Sequence, residues 1–403
     1  MAIEIRPIES DEVGDYLRAA LRGFHVNRVS DVQIEQRRKQ YEAGRFWVAL
    51  DGAEIVGTLR SAPLGTTMPG GGELPTAGVT NVTVAATHRR QGLMARLLTA
   101  ELQAARERGE PLTSLIAAEW PIYGRFGFGP AVDYTEYQLD AAAVWTNPGE
   151  GTVEMVDPAT LLAHAPATYE RHRATSVGEI TRHESWWEII THVVELDPWK
   201  GFQVLCRDDA GEVSGYAVYE IGEEWVHRKP KATLKLNELV AATAGAEARL
   251  WRYLCEIDWV TTVEAETRRL REPLHHWVVD GRALTLTERT EMVWARPLDV
   301  PAALTGRQYA ATGTVVFEVD DPIKLAGGRF LLETDGVATA CTTTTAGPDF
   351  SLPMFALGAV VYGGTSLLDL QAGGLVTEHQ PGSVLRADRM FRWPVEPWSA
   401  TWF

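Results

Sequence analysis

The stretch from Gly78 to Gly109 constrains the fold more than any other part of the chain. Gly78 to Val84 is rich in β-branched residues, as a strand requires, and it leads through Ala85-Ala86-Thr87-His88 into Arg89-Arg90-Gln91-Gly92. Beyond Gly92, the residues Leu93, Met94, Leu97, Leu98, Leu102 and Ala105 recur at helical spacing, with Arg106 and Arg108 in the last turn and Gly109 after it. A strand, a tight basic turn and an amphipathic helix in succession call for a layered α/β arrangement, because the helix must bury its apolar stripe against a sheet. The turn also presents unpaired N–H groups at the start of the helix, where the dipole favours negative charge. Gly92 lets the backbone approach a ligand closely, and Arg89 and Arg90 add attraction for an anion such as a pyrophosphate. The same residues equally describe a solvated basic turn that caps an amphipathic helix.

The rest of the first 140 residues alternates strand and helix signals. Met1-Ala2-Ile3-Glu4-Ile5-Arg6 reads as an edge strand. Ser10 or Asp11 then caps a helix whose apolar face is Val13, Tyr16, Leu17 and Ala20 and which ends at Gly23. A second helix is predicted between Asp31 and Tyr41, and Asp51-Gly52 closes a hairpin between Phe46–Leu50 and Ile55–Arg60. Thr113 to Ala118 is a short buried strand. A shift in composition near Trp145-Thr146-Asn147-Pro148-Gly149 marks a boundary, after which strands at Phe202–Cys206, Ser214–Ile221 and Lys231–Val240 precede a helix from about Gly245 to Trp259. Pro297, Pro301 and Gly306 mark a second boundary, and the last segment carries a helix candidate around Ser351 to Val361.

A chain of 403 residues divides into two or three domains. Lys and Arg total 38 against 54 Asp and Glu, a net charge of −16, which argues against nucleic acid or an anionic membrane as partner, since both need a basic footprint. Cys206, Cys255 and Cys341 are too few and too scattered for a disulfide framework or a metal site, and they suit a reducing compartment. The chain opens on no basic leader followed by an apolar core, and apolar runs such as Phe355–Tyr362 fall short of the roughly 20 residues of a membrane helix. A cytoplasmic location is expected.

The basic turn resembles the acetyl-coenzyme A signature of the GNAT N-acetyltransferases, with Arg89 and Gly92 at its matching positions and Met94 where a glycine or alanine is usual. Together with Tyr123-Gly124-Arg125-Phe126-Gly127 and a chain ending in phenylalanine, it is similar to the Eis family of these enzymes. The resemblance implies an α/β (α+β) fold of two tandem GNAT-like domains followed by a sterol-carrier-protein-like domain: residues 1–148 binding acetyl-coenzyme A, 149–297 a degenerate second GNAT-like domain, and 298–403 a domain that ends at the active site. It also implies a hexamer. In the middle segment the turn reads Ala242-Thr243-Ala244-Gly245-Ala246-Glu247, without the arginine pair, so no coenzyme A is expected there. The last segment is read either as a lipid carrier or as the means of delivering the chain end to the site.

Acetyl transfer from a thioester to an amine needs a neutral nucleophile, stabilisation of the oxyanion and a proton for the departing thiolate. The resemblance implies that the backbone of Val82, Thr83 and Val84 faces the thioester, and that Arg89, Arg90, Gln91, Gly92 and Leu93 hold the phosphates. Tyr123 is either a packed aromatic or, as the resemblance implies, the general acid, since a tyrosine with a pKa of about 10 keeps its proton at neutral pH. The base implied is the α-carboxylate of Phe403, acting directly, through a water, or as an orienting charge for the amine. Phe24, His25, Trp47, Glu119, Trp120 and Trp402 are candidates for lining the amine pocket. The acceptor implied is a small cationic amine such as an aminoglycoside or polyamine; a protein lysine, or a non-catalytic coenzyme A or lipid-binding scaffold, are the alternatives.

Overall fold

A computed structural model describes residues 3–403, so Met1 and Ala2 of the expected edge strand lie outside the described residues. The chain forms two compact units. The first comprises the residues up to Ala131, Val293–Pro394 and Phe403, and the second Val132–Met292 with Val395–Trp402.

In the first unit the elements run β1 (Glu4–Pro7), α1 (Val13–Gly23), α2 (Asp31–Lys39), β2 (Phe46–Asp51), β3 (Glu54–Thr67), β4 (Glu73–Val84), α3 (Leu93–Glu107), β5 (Leu112–Ile116) and α4 (Trp120–Tyr123). The strands lie in the order β1-β2-β3-β4-β5, with Val293–Pro297 antiparallel to β5. Alternation along β2 divides the core. Ala49 joins the cluster of Leu93, Leu97, Leu98 and Leu102 from α3, whereas Phe46 and Val48 join Val13, Tyr16 and Ala20 of α1. Helices therefore cover both faces of this sheet. Ser10 and Asp11 do not cap α1 directly. They lie in a 3₁₀ turn ahead of it, closed by Glu12, whose carboxylate accepts from the Glu9 N–H at 2.8 Å and is itself held by Arg6.

Residues 300–394 build a second core in this unit around a five-stranded sheet, in which Gly313–Asp320 pairs antiparallel with Gly328–Thr334 and parallel with Phe350–Pro353. The helix expected over Ser351–Val361 begins only at Met354, because Phe350–Pro353 is taken up by the sheet. The Nη2 of buried Arg296 donates to both carboxylate oxygens of Asp321 at 2.8 Å, tying this core to the strand beside β5. Arg307, also buried, donates to the Val360 and Val361 carbonyls and to that of Phe391, so it caps two helix ends at once.

The second unit repeats the theme. Phe202–Arg207, Val213–Ile221, Ala232–Ala241 and Val260–Ala265 form neighbouring strands, the last two parallel and bridged by the helix Ala244–Cys255. That helix stops short of Trp259, which adopts a positive φ of 73°. Helices at Pro158–Arg173 and Glu184–Ile190 complete the unit. No helix among the described residues is long and apolar enough to cross a membrane.

Candidate active site

The end of β4 departs from regular pairing. Its parallel register with β5 runs from Thr76–Leu112 to Val79–Leu115 and stops there, although β4 continues to Val84. Its antiparallel register with β3 slips between Thr58 and Arg60, where Asn81 takes a positive φ of 52°. Two threonines fasten this bulge. Thr58 Oγ1 donates to the Asn81 carbonyl at 2.9 Å, so the 2.7 Å contact with Thr83 is donated by Thr83. Asn81 through Val84 thus part from β5 and leave a notch between the strands, where backbone groups have no ladder partner on that side.

Beyond the notch, His88 anchors the turn through a 3.3 Å contact to Asp51. Arg90 and Gly92 both have left-handed backbones, with φ of 64° and 73°. A left-handed arginine costs about 1 kcal/mol or more, and such strain is retained where a site needs it. Gly92 is the N-cap of α3 and supplies no side chain, so no described side chain caps the first turn of the helix. Arg89, Arg90 and Gln91 are exposed around it. The geometry fits an anion approaching the helix end: bare amides, a positive dipole and flanking guanidinium groups.

The second unit differs at the equivalent turn. Thr243 accepts from the Ala246 N–H at 3.2 Å and so caps the helix itself. A Cβ on Gly245 would stand 2.6 Å from Glu150 Oε2, so a carboxylate already occupies the approach to that helix end. An anionic ligand would meet repulsion there.

Tyr123 ends α4 and is 7% exposed, within the same cluster as Val79, Leu97 and Leu115. Its ring meets Phe128 edge-on at 6.2 Å, and its hydroxyl has no hydrogen-bond partner among the described residues. Burial, and after it the charge of Glu119, pushes the hydroxyl up to about 12, so it remains a proton donor at any ordinary pH. Gly127, at φ 85°, closes the turn that follows. Phe403 packs on the opposite face of β4, against Gly78, whose neighbours Ala77 and Val79 point toward α3. Ser114, paired with Gly78 across β5, carries a buried hydroxyl without a partner.

The remaining expected residues are less tightly gathered. A cavity of about 360 Å³ is lined by Gly23 and His25 at the end of α1 and by Thr58, Thr83, Val84 and Arg89. Phe24, half exposed, and His25, at φ 65°, form the turn after α1. Gly23 permits that turn to touch β4, since a Cβ on it would lie 2.4 Å from Thr83 Cβ. Glu119 and Trp120 are exposed at the start of α4, with Trp120 edge-on to Trp294 at 4.9 Å. Trp402, in the second unit, is exposed and meets Tyr134 edge-on at 6.4 Å. The Trp47 indole is engaged within the first unit: it donates to buried Glu101 of α3 at 2.6 Å, because that carboxylate needs donors in addition to Arg108.

Sequence reasoning missed the residues that secure the chain end. Within the second unit, Glu179 accepts from Ser399 Oγ at 2.8 Å and from the Ala400 N–H at 2.6 Å. Arg182 Nε donates to Thr401 Oγ1 at 2.9 Å and its Nη1 to Glu238 at 2.9 Å. Trp398 donates to the Thr267 carbonyl and lies against His172 and Arg268. A terminus ordinarily frays; here only two residues beyond Thr401 remain free of this clamp.

Residues 4–131 and 178–297 match two models described as acetyltransferase (GNAT) domains, and residues 300–400 match one described as a sterol carrier protein domain. An uncharacterized N-acetyltransferase of Streptomyces avermitilis is 39% identical, over 100% of this chain and 99% of its own. The N-acetyltransferase Eis of Mycobacterium tuberculosis is 33% identical over 84% of each chain. The crystal structure of Eis1 from Mycobacterium abscessus superposes with a TM-score of 0.88 at 30% identity, covering 99% of this chain and 100% of that one. Two GNAT domains precede a sterol-carrier-like domain, the acetyl donor is acetyl-coenzyme A, and the chain belongs to the Eis family of GNAT N-acetyltransferases.

Proposed function

We propose that the enzyme acetylates the primary amine of a small molecule, with Tyr123 as general acid and the terminal carboxylate of Phe403 facing the amine. The observation that carries this reading is the notch where β4 leaves β5: the uncapped end of α3 lies after it in the chain, and Tyr123 packs in the core against the paired residues that precede it. A small acceptor is favoured by the cavity beside His25 and Thr83, whose volume of about 360 Å³ is that of a small-molecule pocket. In this reading residues 1–148 hold the donor, 149–297 form a lobe that does not bind it, and 298–403 carry the chain end.

Acetyl-coenzyme A supplies the thioester acyl group, with its phosphates at the amides of α3 and beside Arg89 and Arg90. The backbone at Val82–Val84 lends N–H groups to the carbonyl oxygen as negative charge develops on it. Tyr123 gives its proton to sulfur as the C–S bond breaks and the new N–C bond forms. The terminal carboxylate of Phe403 serves first as counter-charge to the substrate ammonium, whose proton then leaves to water. The direct test incubates the protein with acetyl-coenzyme A and a panel of amines and follows thiol release. Turnover that falls by about 10²-fold in Tyr123→Phe, with acetyl-coenzyme A affinity retained, is expected. Absence of thiol release with every amine at high enzyme would overturn the proposal.

A further inference from the structure

Each buried arginine but one donates to a carboxylate or a backbone carbonyl: Arg45 to Glu110, Arg182 to Glu238, Arg268 to Glu247, Arg296 to Asp321 and Arg307 to Val361. Arg60 of β3 is the exception among the described residues. It is 5% exposed, its Nε is buried without a partner, and no described residue accepts a hydrogen bond from its guanidinium. The charges that bear on it are Arg37 of α2, which repels it, and the Tyr16 hydroxyl of α1; no carboxylate is among them. Arg37 makes only a 3.4 Å contact to Gln40, and the Tyr16 hydroxyl is itself buried and unpartnered. The Phe46 ring, 5.7 Å away, offers a cation–π contact, which offsets only part of the desolvation of an ion. A buried guanidinium therefore stands among the described residues without a counter-ion.

The register locates this arginine. Arg60 stands opposite Thr80 of β4, and Ala62, two residues on, stands opposite Gly78. Residues paired in this way, and those two apart along a strand, share one face of the sheet. Arg60 therefore projects on the same face as the Phe403 ring, one diagonal step of roughly 7–8 Å between Cα atoms from Gly78. That distance is within the reach of an arginine side chain.

We propose that Arg60, supported by Arg37 and the Tyr16 hydroxyl, binds an anionic group of the acceptor, so that the substrate is an amino carboxylate, carrying its amine toward Phe403 and its carboxylate toward β3. A carboxylate matches the guanidinium fork and accepts from a phenol. This inference rests on the reading that the amine lies on the Phe403 face, and it replaces the polycation implied by resemblance with a zwitterion.

The test compares ω-amino carboxylates, from glycine to 6-aminohexanoate, each against the alkylamine of equal length, by thiol release. At the preferred length kcat/KM for the carboxylate is expected to exceed that of the alkylamine at least tenfold, and the ratio is expected to collapse toward one in Arg60→Met and to persist in part in Arg60→Lys. A ratio at or below one in the unsubstituted enzyme, or an unchanged ratio in Arg60→Met, would overturn it; if that variant does not fold, Arg37→Met takes its place. Calorimetry with benzoate, in the absence of any amine, separates the two levels of inference. Benzoate binding that is lost with Arg60, without turnover of any amine, supports the anion site and overturns the acceptor reading. Turnover of alkylamines without benzoate binding overturns the anion site and spares that reading.

Discussion

The ring of Phe403 lies against Gly78: a Cβ on this glycine would stand 3.2 Å from Phe403 Cε2, while Leu64 Cδ1, at 2.3 Å, fills the space left by the missing side chain. A glycine inside a strand of β-branched residues thus marks the seat of the chain end.

Replacing Gly78 by valine should displace the ring. Turnover is expected to fall by at least about tenfold while the Kd for acetyl-coenzyme A stays within about twofold, because the helix end that takes the phosphates is untouched. Leu64 must repack, at a cost of about 1–3 kcal/mol, which thermal unfolding will register as a fall of several degrees in Tm.

The Tyr123 hydroxyl predicts a pH profile. A general acid must hold its proton, and burial pushes this one up to about 12, so kcat should show no alkaline decline from this group below pH of about 11. The folded value lies above the unfolded value of about 10; stability from this group is therefore complete below pH of about 10 and is lost as pH rises toward 12. Tyr123→Phe should lower the profile by about 10²-fold, and its unfolding should lack this alkaline component.

Glu179 is expected to act at a distance from the chemistry. Its carboxylate holds Ser399 and Ala400, so Glu179→Ala should free the tail and expose Phe403 to carboxypeptidase. Release of the terminal residue should accelerate by roughly fivefold or more, as local opening becomes cheaper. Turnover should fall with it, and acetyl-coenzyme A binding should hold.

At the basic turn, Arg89→Ala should weaken acetyl-coenzyme A binding by about tenfold at low salt and by less at high salt, since exposed charges are screened. In Gly92→Ala the added Cβ would meet no atom within 4 Å, yet the φ of 73° suits glycine. The expected loss of about 1 kcal/mol or more is therefore backbone strain and not collision, measurable by calorimetry and by Tm.

Much of the first lobe is legible in the sequence because its signals are local. The spacing of Leu93, Leu97, Leu98 and Leu102 defines α3, the hairpin expected at Asp51-Gly52 turns one residue later at Gly52 and Ala53, and Gly92 marks the turn before α3. What escapes is set by contacts between residues far apart in the chain. One exception is local: Ser10 and Asp11 read as caps, but Glu12 closes the turn with its near neighbours Glu9 and Arg6. Trp47 reads as a pocket aromatic, but Glu101, which lies 54 residues later, claims its indole. The tail clamp joins Glu179 and Arg182 to Ser399 and Thr401, and no periodicity announces such a pair. Arg60 is legible in the sequence only as the end of the strand Ile55–Arg60; that its buried Nε has no partner is visible solely in three dimensions.

Extending the chain by two glycines after Phe403 tests most directly whether the terminal carboxylate serves the reaction. The account predicts that thiol release falls by about 10²-fold or more, with Tm and acetyl-coenzyme A affinity unchanged, because the added residues move the charge and leave the fold and the phosphate site alone. Full turnover in the extended enzyme would contradict it.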